Sequence, residues 1–290
     1  MKFLLTLVFW VCVLPANAAS VDTLEIPSAA MNRTLKAAVV LPASYTKTQA
    51  LYPVLYLLHG AGGNFSTWLN KTHDKNLFQN LADQYNVIVV MPDGDIYSWY
   101  LDSPSNKESQ FETYISQEVV AKIDVIYRTV RSPKGRLISG YSMGGHGAMY
   151  LSARHPDIFG AAGTMSGAMD MDFSKFKISK EQISSTKDLF EKILGTGDIR
   201  NEVFLKNSIV NMVDTIKKNA IPIVMDCGVD DFLIDLNREL HERLLYAGVA
   251  HDYTERPGAH TWPYWENALP YQMLFFHNVL KKNGVSVESK

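Results

Sequence analysis

The stretch LISGYSMGGHGAMYLS, residues 137–152, decides how the rest of the chain is read. Leu137 and Ile138 belong to an apolar run that reads as a buried strand, and Gly144 to Ala153 reads as a helix that begins with small residues. Between them stands Ser142, flanked by Gly140 and Gly144, where a serine adds little to packing. The pattern makes sense if the chain turns very sharply with Ser142 at the apex. A G-x-S-x-G pentapeptide between strand and helix holds a hydroxyl exposed for nucleophilic attack. The amide of Met143 then points to where an oxyanion would form.

The same strand form recurs on both sides. YPVLYLLHG, NVIVVMPDG, FGAAGTMSG and IPIVMDCGV are near-continuous apolar runs ending in Gly- or Asp-containing turns. Such runs suit strands buried on both faces. Between them lie helix-period segments. Ile115, Val119, Ile123 and Ile126 mark one face, and Leu236, Leu240 and Leu244 another. TLEIPS and TLKAAVVLP read as a hairpin at a sheet edge. Strands alternating with helices imply a mostly parallel central sheet with helices on both faces. The polar region 170–215 breaks the alternation and reads as a short insertion after the sixth strand. It forms either a partial lid or a plain surface excursion. In such sheets function gathers at the carboxyl ends of the strands.

A serine hydroxyl needs a base. Of the eight histidines, His260 in ERPGAHTWPYW follows a strand-like run and a Pro-Gly turn and precedes a helix. His146 is nearer in sequence, but its helix carries it behind the serine, where it reads as a packing or hydrogen-bonding residue. His73, His155, His241, His251 and His277 read as surface or helix positions. The base in turn needs an orienting carboxylate. In CGVDDFL both Asp230 and Asp231 compete. A G-x-x-D turn favours Asp231, and Asp230 would then cap the next helix or face solvent. Two backbone amides should meet the developing oxyanion. One is that of Met143. The other comes from the loop His59-Gly60-Ala61-Gly62-Gly63, with Ala61 favoured and Gly62 the alternative.

The chain has 290 residues and a formal net charge of −2, and 47% of its residues are hydrophobic, which fits one α/β domain with a sizeable core. Nothing in the charge pattern points to nucleic acid, and mean hydropathy near zero argues against stable membrane insertion. MKFLLTLVFWVCVLPANAAS has a lysine, an apolar stretch and an A-x-A site, so residues 1–18 read as a signal peptide and 19–290 as a single catalytic domain exported to the periplasm or beyond. Cleavage would leave Cys227 as the one cysteine, in an apolar run that suits a buried thiol. There is no H-E-x-x-H or paired-Cys motif, no P-loop and no dinucleotide fingerprint, so neither a metal site nor a cofactor is expected.

Six blocks together carry a family resemblance: LLHGAGGNFSTW, PDGDIYSWYLDS, GYSMGGHGAM, HPDIFGAAGTMSGA, DCGVDDFL and PGAHTWPYW. In that order the chain resembles the esterase D-like group of α/β-hydrolases. That group holds S-formylglutathione hydrolases, tributyrin esterases, feruloyl and acetylxylan esterases, and mycolyltransferases. The resemblance implies an α/β-hydrolase fold and carboxyl-ester hydrolysis through an acyl-enzyme. Carried over by block, Ser142, Asp231 and His260 match the triad, and Ala61 and Met143 match the oxyanion donors. Trp68 and Trp99 fall in blocks that help line the acyl pocket, with core packing as the other reading. The expected substrate is a small-molecule or saccharide-linked ester with a short-chain or hydroxycinnamoyl acyl group. An S-formylglutathione hydrolase-like thioesterase, an acyltransferase, a peptidase and a non-catalytic glycan-binding protein are the alternatives. The export signal departs from the cytosolic S-formylglutathione hydrolases.

Overall fold

The computed structural model describes residues 21–285, and the expected signal peptide lies outside the described residues. The elements follow from the patterning. β1 (Val21–Ser28) and β2 (Arg33–Val40) form the antiparallel hairpin. β3 (Val54–Leu58) is buried throughout. Its Val54, Tyr56 and Leu58 pack into one apolar layer, and Leu55 and Leu57 pack into the other. A strand with an apolar side chain on each face can only be a central one. Short helices α1 (Thr67–Lys71) and α2 (Leu77–Tyr85) lead to β4 (Ile88–Pro92). One continuous helical segment follows. It comprises α3 (Phe111–Thr113), a π-helical stretch (Tyr114–Val119) and α4 (Val120–Ile126).

β5 (Arg136–Gly140) runs into α5 (Met143–Arg154), and β6 (Ala161–Met165) follows. The insertion then builds α6 (Lys180–Leu194), α7 (Glu202–Asn207) and α8 (Val213–Asn219). The 15-residue α6 is bounded by a capping box that Ser179 and Gln182 close at its start and by Gly195, which ends it in the left-handed region. β7 (Ile223–Gly228), α9 (Ile234–Tyr246), β8 (Asp252–Arg256) and α10 (Trp262–Lys282) complete the chain.

The eight strands pair in the order β1-β2-β4-β3-β5-β6-β7-β8. β3 to β8 are parallel, and β2 joins β4 antiparallel. α2 and α10 cover one face, where Phe78, Leu81, Leu269 and Phe276 are buried. The α3–α4 segment, α5 and α9 cover the other, through Ile115, Ile123, Leu151 and Leu240. This is the α/β-hydrolase fold. The strand order reverses on either side of β3, which leaves a crevice beyond the carboxyl ends of β3 and β5. The loop holding Ala61 and the turn holding Ser142 meet there. No helix among the described residues is long and apolar enough to cross a membrane.

Candidate active site

Ser142 sits at φ 56° and ψ −122°, a conformation that L side chains rarely adopt. The surroundings enforce it. Its own amide donates to the Met165 carbonyl (3.0 Å), and its carbonyl accepts from His146 N–H (3.0 Å). A Cβ on Gly144 would lie 2.6 Å from both the Leu58 and His59 carbonyls, so α5 can start against β3 only with glycine at that position. Beneath the turn Tyr141 stacks on Trp265 (ring centroids 4.1 Å) and meets Trp68 and Trp262 edge-on. The hydroxyl of Ser142 is thereby presented by a turn braced on the sheet and on an aromatic cluster.

The structure brings Ser142, His260 and Asp231 together from three separate turns. His260 Nε2 lies 2.9 Å from Ser142 Oγ. On its other side Nδ1 lies 3.0 and 2.9 Å from the two Asp231 oxygens. An ionised carboxylate only accepts, so Nδ1 carries the ring proton and Nε2 is left to accept from the serine hydroxyl. The Asp231 side chain is fully buried and also accepts from the Leu233 amide (2.9 Å). Asp230, one residue earlier, is exposed, and its amide is tied to the Gly258 carbonyl. Phe232 and Trp265 pack against the His260 ring at 4.5 and 5.0 Å.

The oxyanion side is equally organised. Neither the Ala61 nor the Met143 amide has a backbone acceptor among the described residues, and both residues line the cavity over Ser142. The Gly62 amide is already bonded to the Ile96 carbonyl (2.8 Å), which leaves Ala61 as the free donor of its loop. His59 holds that loop. Its Nδ1 faces the Gly60 carbonyl (2.9 Å), its Nε2 accepts from the Gly94 amide (2.8 Å), and its carbonyl accepts from the Tyr100 hydroxyl (2.9 Å). Burial pushes the His59 imidazole below its ordinary value, which suits a neutral ring that both donates and accepts.

A cavity of about 610 Å³ opens over these groups. Its apolar wall comes from Trp99, Ala168, Phe176, Ile178, Leu189 and Phe232. Its lip is polar, with Glu181, Gln182, Ser185 and Thr186 from α6. The insertion therefore forms one side of the site. It is held there by Lys175, which pairs with Asp170 (2.7 Å) and Glu239 (3.1 Å), and by His146 Nε2 against the Asn207 carbonyl (2.8 Å). His146 is fully buried beside Trp99 and Tyr150, and burial lowers its pKa to about 4.

One expectation needs correction. Trp68 does not line the cavity. It is 1% exposed, its Nε1 donates to the Leu58 carbonyl (3.1 Å), and its ring packs on Phe78, Tyr141 and Trp262. The loop from β3 turns α1 toward the α10 face of the sheet, so Trp68 braces the serine turn from below. Trp99 does reach the cavity, from a loop where it and Tyr100 both take positive φ. The sequence reading missed Phe176, Ile178 and Leu189 because they lie in a polar insertion. The one available signal was the apolar spacing of Phe173, Phe176 and Ile178. Cys227 is buried, and burial pushes its thiol up, as befits a packing residue.

Residues 28–276 match the family model described as "Putative esterase". An acetyl esterase of Caldicellulosiruptor saccharolyticus is 29% identical over 215 residues, covering 73% of this chain and 78% of that protein. An endo-1,4-beta-xylanase/feruloyl esterase of Xylanibacter ruminicola is 28% identical over 201 residues. The match covers 67% of this chain but only 27% of that longer protein. A solved ferulic acid esterase superposes with a TM-score of 0.74 at 30% identity, covering 91% of this chain and 99% of that one.

Proposed function

The chain belongs to the esterase family and is a carboxylic ester hydrolase, and on that premise we propose that Ser142, His260 and Asp231 hydrolyse short-chain or hydroxycinnamoyl esters through an acyl-enzyme. The observation that carries this reading is the 2.9 Å approach of His260 Nε2 to Ser142 Oγ at the floor of the cavity. Ser142 Oγ attacks the ester carbonyl while His260 Nε2 takes its proton. Asp231 holds the Nδ1–H and stabilises the imidazolium. The Ala61 and Met143 amides meet the oxyanion, and each such donor is worth about 3 kcal/mol in the transition state. His260 then protonates the departing alcohol. Water, deprotonated by the same imidazole, releases the acid and restores Ser142.

The cavity is far roomier than an acetyl group needs, and its wall is mostly aromatic and aliphatic. These features support an aromatic acyl group with a polar substituent at the α6 lip. The xylanase joined to a feruloyl esterase in the name of one relative supports plant polysaccharide fragments as the alcohol. The proposed chain is exported, with cleavage after residue 18.

The test is a substrate panel of p-nitrophenyl acetate and butyrate, methyl ferulate, a feruloylated arabino-oligosaccharide and S-formylglutathione. Turnover of feruloyl esters at a kcat/KM equal to or above that of acetate supports the reading. Preference for the thioester, or no ester hydrolysis above buffer, overturns it. Amino-terminal sequencing of the mature chain tests export, with residue 19 expected first.

A further inference from the structure

His241 lies in the middle of α9, and His251 lies just ahead of β8. The turn between them is tight. The amides of Ala247, Gly248 and Val249 bond back to Arg243 (3.0 Å), Leu245 (3.0 Å) and Leu244 (2.9 Å), and Gly248 takes φ 70°. This closure swings the chain round so that the two imidazoles face each other. His241 Nδ1 lies 2.8 Å from His251 Nε2. His251 Nδ1 lies 2.8 Å from the Val249 carbonyl. A carbonyl only accepts, so Nδ1 of His251 carries the proton and its Nε2 lone pair is aimed at His241. Tyr253 of β8 stacks on the His241 ring, with centroids 4.0 Å apart and planes 12° from parallel, which fixes the plane of that ring.

Imidazoles around a transition metal are held in this manner, with the distal N–H oriented by a carbonyl. Two cis nitrogens at about 2.0–2.1 Å from a tetrahedral metal stand roughly 3.3 Å apart, so with the His241 plane held, a shift of about 0.5 Å and a turn of the His251 ring would admit an ion. We propose that His241 and His251 form a site for a borderline divalent transition-metal ion such as Zn²⁺, with water completing its coordination. Among the described residues no group of three His, Cys, Asp or Glu side chains is placed to hold a metal, so the protein supplies two ligands here. His251 also lines an open cleft of about 400 Å³, shared with Asp252, Lys217 and Lys282. The proton balance is simple. The metal takes the place of the shared hydrogen, and the proton on His241 Nδ1 moves through solvent to its own Nε2, so both rings stay neutral. The ion would clamp α9 to β8, the edge strand that leads to His260. The spacing His-x9-His is no metal motif, because only the turn at 247–249 brings the rings together. The site is independent of the ester chemistry.

Zn²⁺ titration by calorimetry tests this with the full chain and three variants. His241→Ala and His251→Ala remove the pair, and His73→Ala removes the ring paired with Glu266 elsewhere on the surface. The wild type and His73→Ala should bind one equivalent, and each pair variant should lose more than about tenfold in affinity. No binding by the wild type, or undiminished binding by either pair variant, overturns the proposal. The Cu²⁺ electron paramagnetic resonance spectrum of the wild type gives a readout that needs no variant. Superhyperfine structure from two nitrogens supports the site, and one or none contradicts it.

Discussion

Gly228 and Gly258 meet backbone against backbone: a Cβ built on Gly228 would collide with the Gly258 carbonyl. This contact sets the distance between the loop that carries Asp231 and the loop that carries His260. The Val229 and Asp230 amides, which donate to the Arg256 and Gly258 carbonyls (3.0 and 2.9 Å), run along the same seam. Below it the buried Asp226 joins Arg256 and Tyr264. A methyl group at residue 228 has no side chain to displace, so the backbone must part. Gly228→Ala should lower kcat on p-nitrophenyl acetate by about 10²-fold with a smaller change in KM, the usual consequence of a displacement near 1 Å at a reacting centre. Unchanged kcat would show that the seam does not position the base.

The two adjacent aspartates give a sharper contrast. Asp231 is buried against His260, and Asp230 faces solvent. Asp231→Asn should reduce kcat by about 10³–10⁴-fold, because an amide that donates favours the wrong imidazole tautomer. Asp230→Asn should stay within about twofold, as expected of an exposed side chain. The reverse ranking would reassign the carboxylate.

The role of α6 in acyl selection can be read from one position. Leu189 faces the cavity from α6 and is only partly buried, so a larger ring fits there without disturbing the core. Leu189→Trp should cut kcat/KM for methyl ferulate by about tenfold or more while acetate changes little, a discrimination within reach of a hydrophobic pocket wall. An equal fall for both esters would mean that the helix supports the fold and not the choice of acyl group.

Much of this arrangement was legible in the sequence, and the limit has a physical form. The apolar runs ending at His59, Gly140 and Gly228 declared buried strands, and G-x-S-x-G declared the turn at Ser142, because backbone sterics and burial act locally. Trp68 and the insertion were less legible. Which side of the sheet a short helix covers depends on the path of the loop before it, and no spacing within NFSTW records that path. Phe176 and Leu189 face the cavity because Lys175 and Asn207 dock the insertion on α9 and α5, contacts between distant parts of the chain.

Buried histidine also predicts how stability depends on pH. His146 has a folded pKa of about 4, below the ordinary value of 6.5, because burial disfavours its charged form. Between those two values the unfolded chain binds a proton that the native protein does not. Stability therefore falls as pH drops from 6.5 toward 4, by up to about 3 kcal/mol for this one group. Urea unfolding of His146→Gln should show a flatter dependence across that window, although its stability at pH 7 is lower for loss of the Trp99 and Tyr150 contacts. A slope equal to that of the wild type would mean that His146 takes up no extra proton on unfolding.

The central claim is that Ser142 carries the acyl group, and mass spectrometry of the trapped enzyme tests it most directly. After brief reaction with a fluorophosphonate or a slowly turned-over ester, the added mass should fall on the peptide containing Ser142. It should be absent from Ser142→Ala and strongly reduced in His260→Ala. Modification at any other residue, or ester turnover by Ser142→Ala equal to that of the wild type, would contradict the account.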